Sequence, residues 1–168
     1  IDHIVSSFDK FAQLVPASGT IIAYDANPFV NQVIRDLDNV VTFGLSENCD
    51  YYAANIQFNE EGMPAFDVCH DGQLLSRVQL AVPGEHNILN ALAAFTCACA
   101  FGVEPQLTKE TLERYHGTQR RFDIVGTTAK GVKIVDDYAH HPTEIKATLS
   151  ASENVPHNKL WCIFQPHT

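Results

Sequence analysis

The run Asp136-Asp137-Tyr138-Ala139-His140-His141-Pro142-Thr143-Glu144 sets two adjacent carboxylates and two adjacent imidazoles between an apolar stretch and a proline-led one. Gly131-Val132-Lys133-Ile134-Val135 reads as a short buried strand, and Pro142 suits the first turn of a helix running through Ile145, Ala147 and Leu149. The polar cluster then falls at the carboxyl end of a strand, where open parallel sheets bind ligands. Asp137 in that place can accept hydrogen bonds from vicinal hydroxyls, as acidic residues do for a ribose. Plain turn chemistry and helix capping are the competing readings for each residue alone. A zinc or manganese hydrolase could also draw on Asp137, His140 and His141, but no second cluster has ligand spacing, so no metal site is assigned.

Two further groups stand out. Gly84-Glu85-His86-Asn87-Ile88-Leu89-Asn90-Ala91 puts His86 and Asn90 four residues apart and Asn87 three before Asn90, near one face of a helix start. An amide offers a donor and an acceptor together, which matches the edge of an adenine base. Arg120 and Arg121 are the only adjacent arginines in an acidic chain, and guanidinium is the planar partner of phosphate oxygens. A solvated basic turn is the plainer alternative. A Gly-x-x-x-x-Gly-Lys-[Ser/Thr] loop, whose amides and lysine would cradle nucleotide phosphates, occurs nowhere in the sequence.

These residues need a frame. The chain has 168 residues, enough to bury a real core as one domain or as parts of two. Its formal charge of -9 argues against a nucleic-acid partner, whose phosphates demand clustered Lys and Arg. Five cysteines without metal spacing read as reduced, packed thiols. The longest apolar run, Ala91 to Val103, is too short for a bilayer, and no signal peptide is visible; the expectation is a cytoplasmic protein without a membrane partner. The first residues enter a helical pattern directly and the last fall inside a polar motif, which predicts a piece of a longer polypeptide.

An opening helix ends near Pro16; Thr20–Tyr24 reads as a strand, 28–36 as a helix and Val40–Phe43 as a strand, an alternation typical of a parallel α/β sheet. From Tyr51 to Leu80 the period falls to two, with breaks at Glu61-Gly62 and Asp71-Gly72, which predicts an antiparallel meander appended to that sheet. A long helix from about Glu85 to Ala100 and a second from Thr108 to Tyr115 follow. His116 to Arg121 reads as a domain hinge, dividing the chain into 1–119 and 120–168. Beyond it come a hairpin around Lys130-Gly131, the helix from Pro142 and a strand from Leu160 to Phe164. The fold class is therefore α/β: a mostly parallel sheet with flanking helices and a meander, then the start of a second, Rossmann-like α/β domain.

The run from Asp136 to Ile145, with Phe164-Gln165-Pro166-His167-Thr168 after it, closely resembles the Mur ligases, and within them the member that adds the first amino acid. The resemblance covers essentially the whole chain: the later part of the central ATP-binding domain, then the beginning of the C-terminal domain. It implies ATP- and magnesium-dependent joining of L-alanine to the lactyl carboxylate of UDP-N-acetylmuramate, through an acyl phosphate, in peptidoglycan precursor synthesis. By that resemblance Asn90, with His86 and Asn87, holds adenine; Arg121 meets the ATP phosphates; Asp137 meets the ribose. Tyr138, His140 and His167 face the reacting carboxylate or incoming amine, with Arg121 and His140 as the catalytic pair. The family's Arg-Arg-Phe-Glu appears here as Arg120-Arg121-Phe122-Asp123, one methylene shorter at its last position. The family's phosphate loop lies upstream of everything in this sequence, which leaves most magnesium ligands to the remainder of the polypeptide and predicts that this chain alone is inactive. A murein-tripeptide recycling ligase and a non-catalytic nucleotide-binding module are the alternatives.

Overall fold

The computed structural model describes residues 1–166. Helix α1 (Asp2–Ala12) leads into strand β1 (Ile21–Tyr24), and Asn27 then starts helix α2 (Pro28–Ile34). The Asn27 side chain accepts the Phe29 and Val30 N–H groups at 2.9 and 3.3 Å, and Pro28 supplies a preset first helical residue. Strands β2 (Val40–Gly44), β3 (Tyr51–Phe58), β4 (Pro64–His70) and β5 (Gln73–Gln79) complete one five-stranded sheet in sequential order. The β1–β2 and β2–β3 ladders are parallel; β3–β4 and β4–β5 are antiparallel, forming the meander expected from the period-two pattern.

The core lies between this sheet and helix α3 (Glu85–Ala100). Ile88, Ala91, Leu92, Phe95 and Thr96, spaced three and one, form the buried face of the helix. They meet Phe66, Val68, Val78 and Leu80, alternate residues of β4 and β5 and the residue after β5. Each such large apolar side chain contributes roughly 1.5–3 kcal/mol on burial, so this seam fixes how α3 lies on the sheet. Helix α4 (Pro105–Glu113) follows; it begins three residues before the expected Thr108, because Pro105 serves as its first residue.

The chain then forms an antiparallel hairpin, β6 (Asp123–Thr127) and β7 (Lys133–Asp136), and helix α5 (Pro142–Glu153). Helix α5 has a complete capping box: His141 accepts the Thr143 N–H, while Glu144 reaches back to the His141 N–H.

Three expectations need correction. β7 is exposed along its length rather than buried, since β6 is its single sheet partner and nothing covers its faces among the described residues. Residues 160–164 form no strand: no neighbouring strand offers them a ladder, and Ile163 is 98% exposed. All five cysteines are unpaired, yet only Cys49 and Cys69 are buried; Cys97 and Cys162 are exposed, so the packed-thiol reading fails for those two.

Candidate functional site

Where α3 begins, the backbone does something only glycine does easily. Gly84 has a φ of +99°, and a β-carbon there would lie 2.7 Å from the His86 ring and 3.0 Å from Ala151 of α5. The first turn of α3 and the side of α5 therefore approach each other closely, with Ala151 almost fully buried between them. Beside that contact a cleft of about 430 Å³ opens, within the size range of small-ligand sites. His86, Asn87 and Asn90 line one side; Arg121, Asp137 and the first two turns of α5 line the other.

On the α3 side, Asn87 donates to the Pro83 carbonyl at 2.7 Å, which fixes its amide and leaves its oxygen to accept from Asn90 at 3.2 Å. The second N–H of Asn90 and its own carbonyl oxygen have no hydrogen-bond partner among the described residues, so a complementary donor–acceptor edge is presented at the cleft. His86 is half-buried, and that burial pushes its pKa below the usual value; Asp137 opposes the shift and Arg121 adds to it. The imidazole is thus held toward its neutral form, able to donate from one nitrogen and accept at the other.

The opposite side depends on a strained loop. Arg120 and Phe122 have φ of +60° and +49°, left-handed conformations that cost non-glycine residues roughly 1–3 kcal/mol each. Hydrogen bonds hold them there: Asp137 accepts the Phe122 N–H at 2.8 Å and the Ala139 N–H at 2.7 Å, one on each carboxylate oxygen, and the Tyr138 N–H donates to the Arg120 carbonyl at 2.8 Å. Asp123 accepts the Arg120 N–H at 3.3 Å, a role that its shorter side chain fills from within the same loop. The outcome is that Arg121 faces the cleft, its guanidinium 3.4 Å from Glu144. The Glu144 carboxyl sits below its usual range, chiefly because it accepts the His141 and His140 N–H groups, with Arg121 adding to the effect.

Of the residues singled out from sequence, His86, Asn87, Asn90, Arg121 and Asp137 come together in this one cleft. Tyr138 and His140 stand just outside its lining, their rings edge to face at 5.1 Å. His167 lies outside the described residues. The metal-hydrolase alternative does not assemble: His141 uses Nδ1 to cap α5, His140 Nδ1 faces the Tyr138 carbonyl at 3.0 Å, and no three potential metal ligands converge among the described residues. Glu144 also lines the cleft, although no role is assigned to it from sequence. Its place three residues after His141 completes the capping box seen in the structure, while its meeting with Arg121 is a tertiary event.

The sequence matches two known domain types: the Mur ligase middle domain over residues 1–98, and the Mur ligase glutamate ligase domain over residues 120–168. The chain belongs to the Mur ligase family. Among curated Mur ligases it is 46% identical to the UDP-N-acetylmuramate--L-alanine ligase of Alkaliphilus metalliredigens and 47% identical to that of Clostridium acetobutylicum, over its full length in each case. It spans 36% of the length of either relative. Among solved Mur ligases, UDP-N-acetylmuramate-alanine ligase from Thermotoga maritima superposes with a TM-score of 0.75 at 26% identity, covering 90% of this chain and 33% of that one. MurF from Acinetobacter baumannii gives 0.80 at 23% identity, covering 92% of this chain and 34% of that one, a likeness of fold.

Proposed function

We propose that this chain is the nucleotide-clasping part of an ATP-dependent ligase that joins L-alanine to UDP-N-acetylmuramate in peptidoglycan precursor synthesis. The observation that carries the reading is the single cleft in which α3, the loop around Arg121, the end of β7 and α5 bring His86, Asn87, Asn90, Arg121 and Asp137 together. The name shared by the full-length relatives supports the choice of substrates.

The donor set fits a nucleotide. Asn90, steadied by Asn87, presents one donor and one acceptor to an adenine edge, and neutral His86 stands beside it. Asp137 retains lone pairs on both oxygens for ribose hydroxyls, since each oxygen accepts only one backbone N–H. Arg121 can exchange its long Glu144 contact for phosphate oxygens, gripping them in a plane. ATP, when bound, supplies the phosphoryl group that activates the lactyl carboxylate. Tyr138 and His140 then lie on the side of the reacting carboxylate and amine, with His167 beyond.

Magnesium does not fit these residues by themselves. Of the two acidic side chains lining the cleft, Glu144 gives one oxygen to the His140 and His141 N–H groups and the other to Arg121, which leaves Asp137, assigned to the ribose in this reading, as the one carboxylate with lone pairs to spare, and no three potential metal ligands converge among the described residues. A magnesium ion takes its few protein ligands from carboxylates and hydroxyls free to point at it. Its seat, like the phosphate loop, belongs to the remainder of the polypeptide in this reading. That remainder is the partner this chain requires, and the cytoplasm, where ATP and the soluble substrates meet, is its place; no helix among the described residues is long and apolar enough to cross a membrane.

The test is phosphate release dependent on both UDP-N-acetylmuramate and L-alanine. The full-length polypeptide should show it and the purified 168-residue chain should not. Release by this chain alone, or full-length turnover with L-alanine replaced by a tripeptide but not with L-alanine, overturns the reading.

A further inference from the structure

Arg120 is exposed and outside the cleft, so an ordinary solvated arginine would be the expectation. Its surroundings are more specific than that. Its guanidinium lies over the Tyr138 ring, 4.6 Å from the centroid, and its Nε is 3.6 Å from an Asp136 carboxylate oxygen. Its backbone carbonyl accepts the Tyr138 N–H, so residue 120 grips residue 138 through both main chain and side chain. Tyr138 in turn meets His140 edge to face, and the Tyr138 carbonyl lies 3.0 Å from His140 Nδ1. The backbone takes a left-handed φ of +60° at Arg120 to make this possible.

An exposed tyrosine ring held by one edge contact has rotamer freedom to lose before it can present a fixed face. The Arg120 cation over the ring is a second contact and removes much of that freedom. Asp136 keeps the guanidinium from swinging away, and Tyr138 then fixes the plane against which His140 rests. We propose that Arg120 is a positioning residue, which orients Tyr138 and, through it, His140 for the amino-acid side of the reaction. This rests on the reading that Tyr138 and His140 face the incoming amine; Arg120 itself touches no substrate.

The test uses the full-length enzyme. Arg120→Gln keeps a planar side chain but removes the cation, and should raise the L-alanine KM about threefold, the size of an exposed cation–π contact, with the ATP KM unchanged. Arg120→Lys, which restores a cation over the ring, should return the L-alanine KM toward wild type. A generally loosened fold would move both Michaelis constants and would not be rescued by charge. Tyr138→Leu provides a second route: on that background Arg120→Gln should add nothing further, because the ring it steadied is gone. An additive effect, or an unchanged L-alanine KM in Arg120→Gln while Tyr138→Leu raises it, overturns the positioning role. If Tyr138→Leu and His140→Ala both leave the L-alanine KM unchanged, the underlying reading fails, and the proposal with it.

Discussion

A β-carbon placed on Gly62, in the turn between β3 and β4, would stand 2.6 Å from the carbonyl oxygen of Asn154 at the end of α5. The turn and the helix end are therefore in closest backbone contact, far from the cleft that the first turns of the same helix line. Gly84 makes the matching close approach to the last turn of α5, at Ala151. Both glycines let α5 approach the sheet unit closely, and a bulkier residue at either would push on the helix whose first turns line the cleft.

Gly62→Ala should therefore weaken ATP binding by the full-length enzyme without altering any residue that lines the cleft. Its backbone φ of +79° adds roughly 1–2 kcal/mol of left-handed strain, which a thermal melt will register. Gly72→Ala is the control: its φ is +74°, but its β-carbon meets nothing within 4 Å. Equal ATP affinities in the two variants would show that the α5 seat does not set the cleft.

Asn90→Ala in the full-length enzyme should raise the KM for ATP more than that for L-alanine. The lost pairing with a base edge should cost about 1–3 kcal/mol, as for other buried hydrogen bonds left with one partner. Asn87→Ala should produce a smaller effect of the same kind, since Asn87 orients Asn90 rather than presenting its own edge. An unchanged ATP constant in Asn90→Ala would move the adenine elsewhere.

How much of this could be read from sequence differs element by element. Helix α3 was legible because Ile88, Ala91, Leu92, Phe95 and Thr96 repeat with helical spacing and Gly84 marks its start. The meander was legible from alternation. The burial of β7 was not legible because Val132, Ile134 and Val135 are the same apolar residues whether a strand is covered or bare, and coverage depends on partners distant in the chain. Residues 160–164 carry strand composition but find no ladder. In the cleft, the residue types were visible, while their division of labour was not. Arg120 and Arg121 are chemically identical neighbours; a left-handed φ at Arg120, which no side chain announces, sends one to Tyr138 and the other to Glu144.

The His86 imidazole should impose a pH dependence on folding stability. Burial lowers its folded-state pKa below the ordinary 6.5, so the unfolded chain takes up a proton first as pH falls. Stability from the neutral ring is fully present above 6.5 and declines as pH drops from there toward the folded value, then levels off. Urea titrations of wild type and His86→Gln across this range isolate the effect from the other histidines. The difference between the two should change below pH 6.5 and stay flat above it; a flat difference throughout would mean that the ring is solvated.

Arg121→Lys in the full-length enzyme should depress turnover although the charge is kept. A guanidinium can bridge two phosphate oxygens in one plane, whereas an ammonium is a point charge on a flexible stem. Here the loop geometry makes the distinction sharper: with Phe122 pinned to Asp137 and Arg120 pinned to Tyr138, the backbone of residue 121 cannot shift to compensate for a different head group. If the arginine tightens on the transferring phosphoryl group as the reaction proceeds, its loss falls mainly on kcat, because only contacts stronger in the transition state speed the chemical step. Arg120→Lys shares the change in charge geometry but lies outside the cleft, and should turn over like wild type. Equal turnover in both lysine variants and the parent would reduce the pair to a solvated turn, and the phosphate partner would then have to be sought among the other residues facing the cleft.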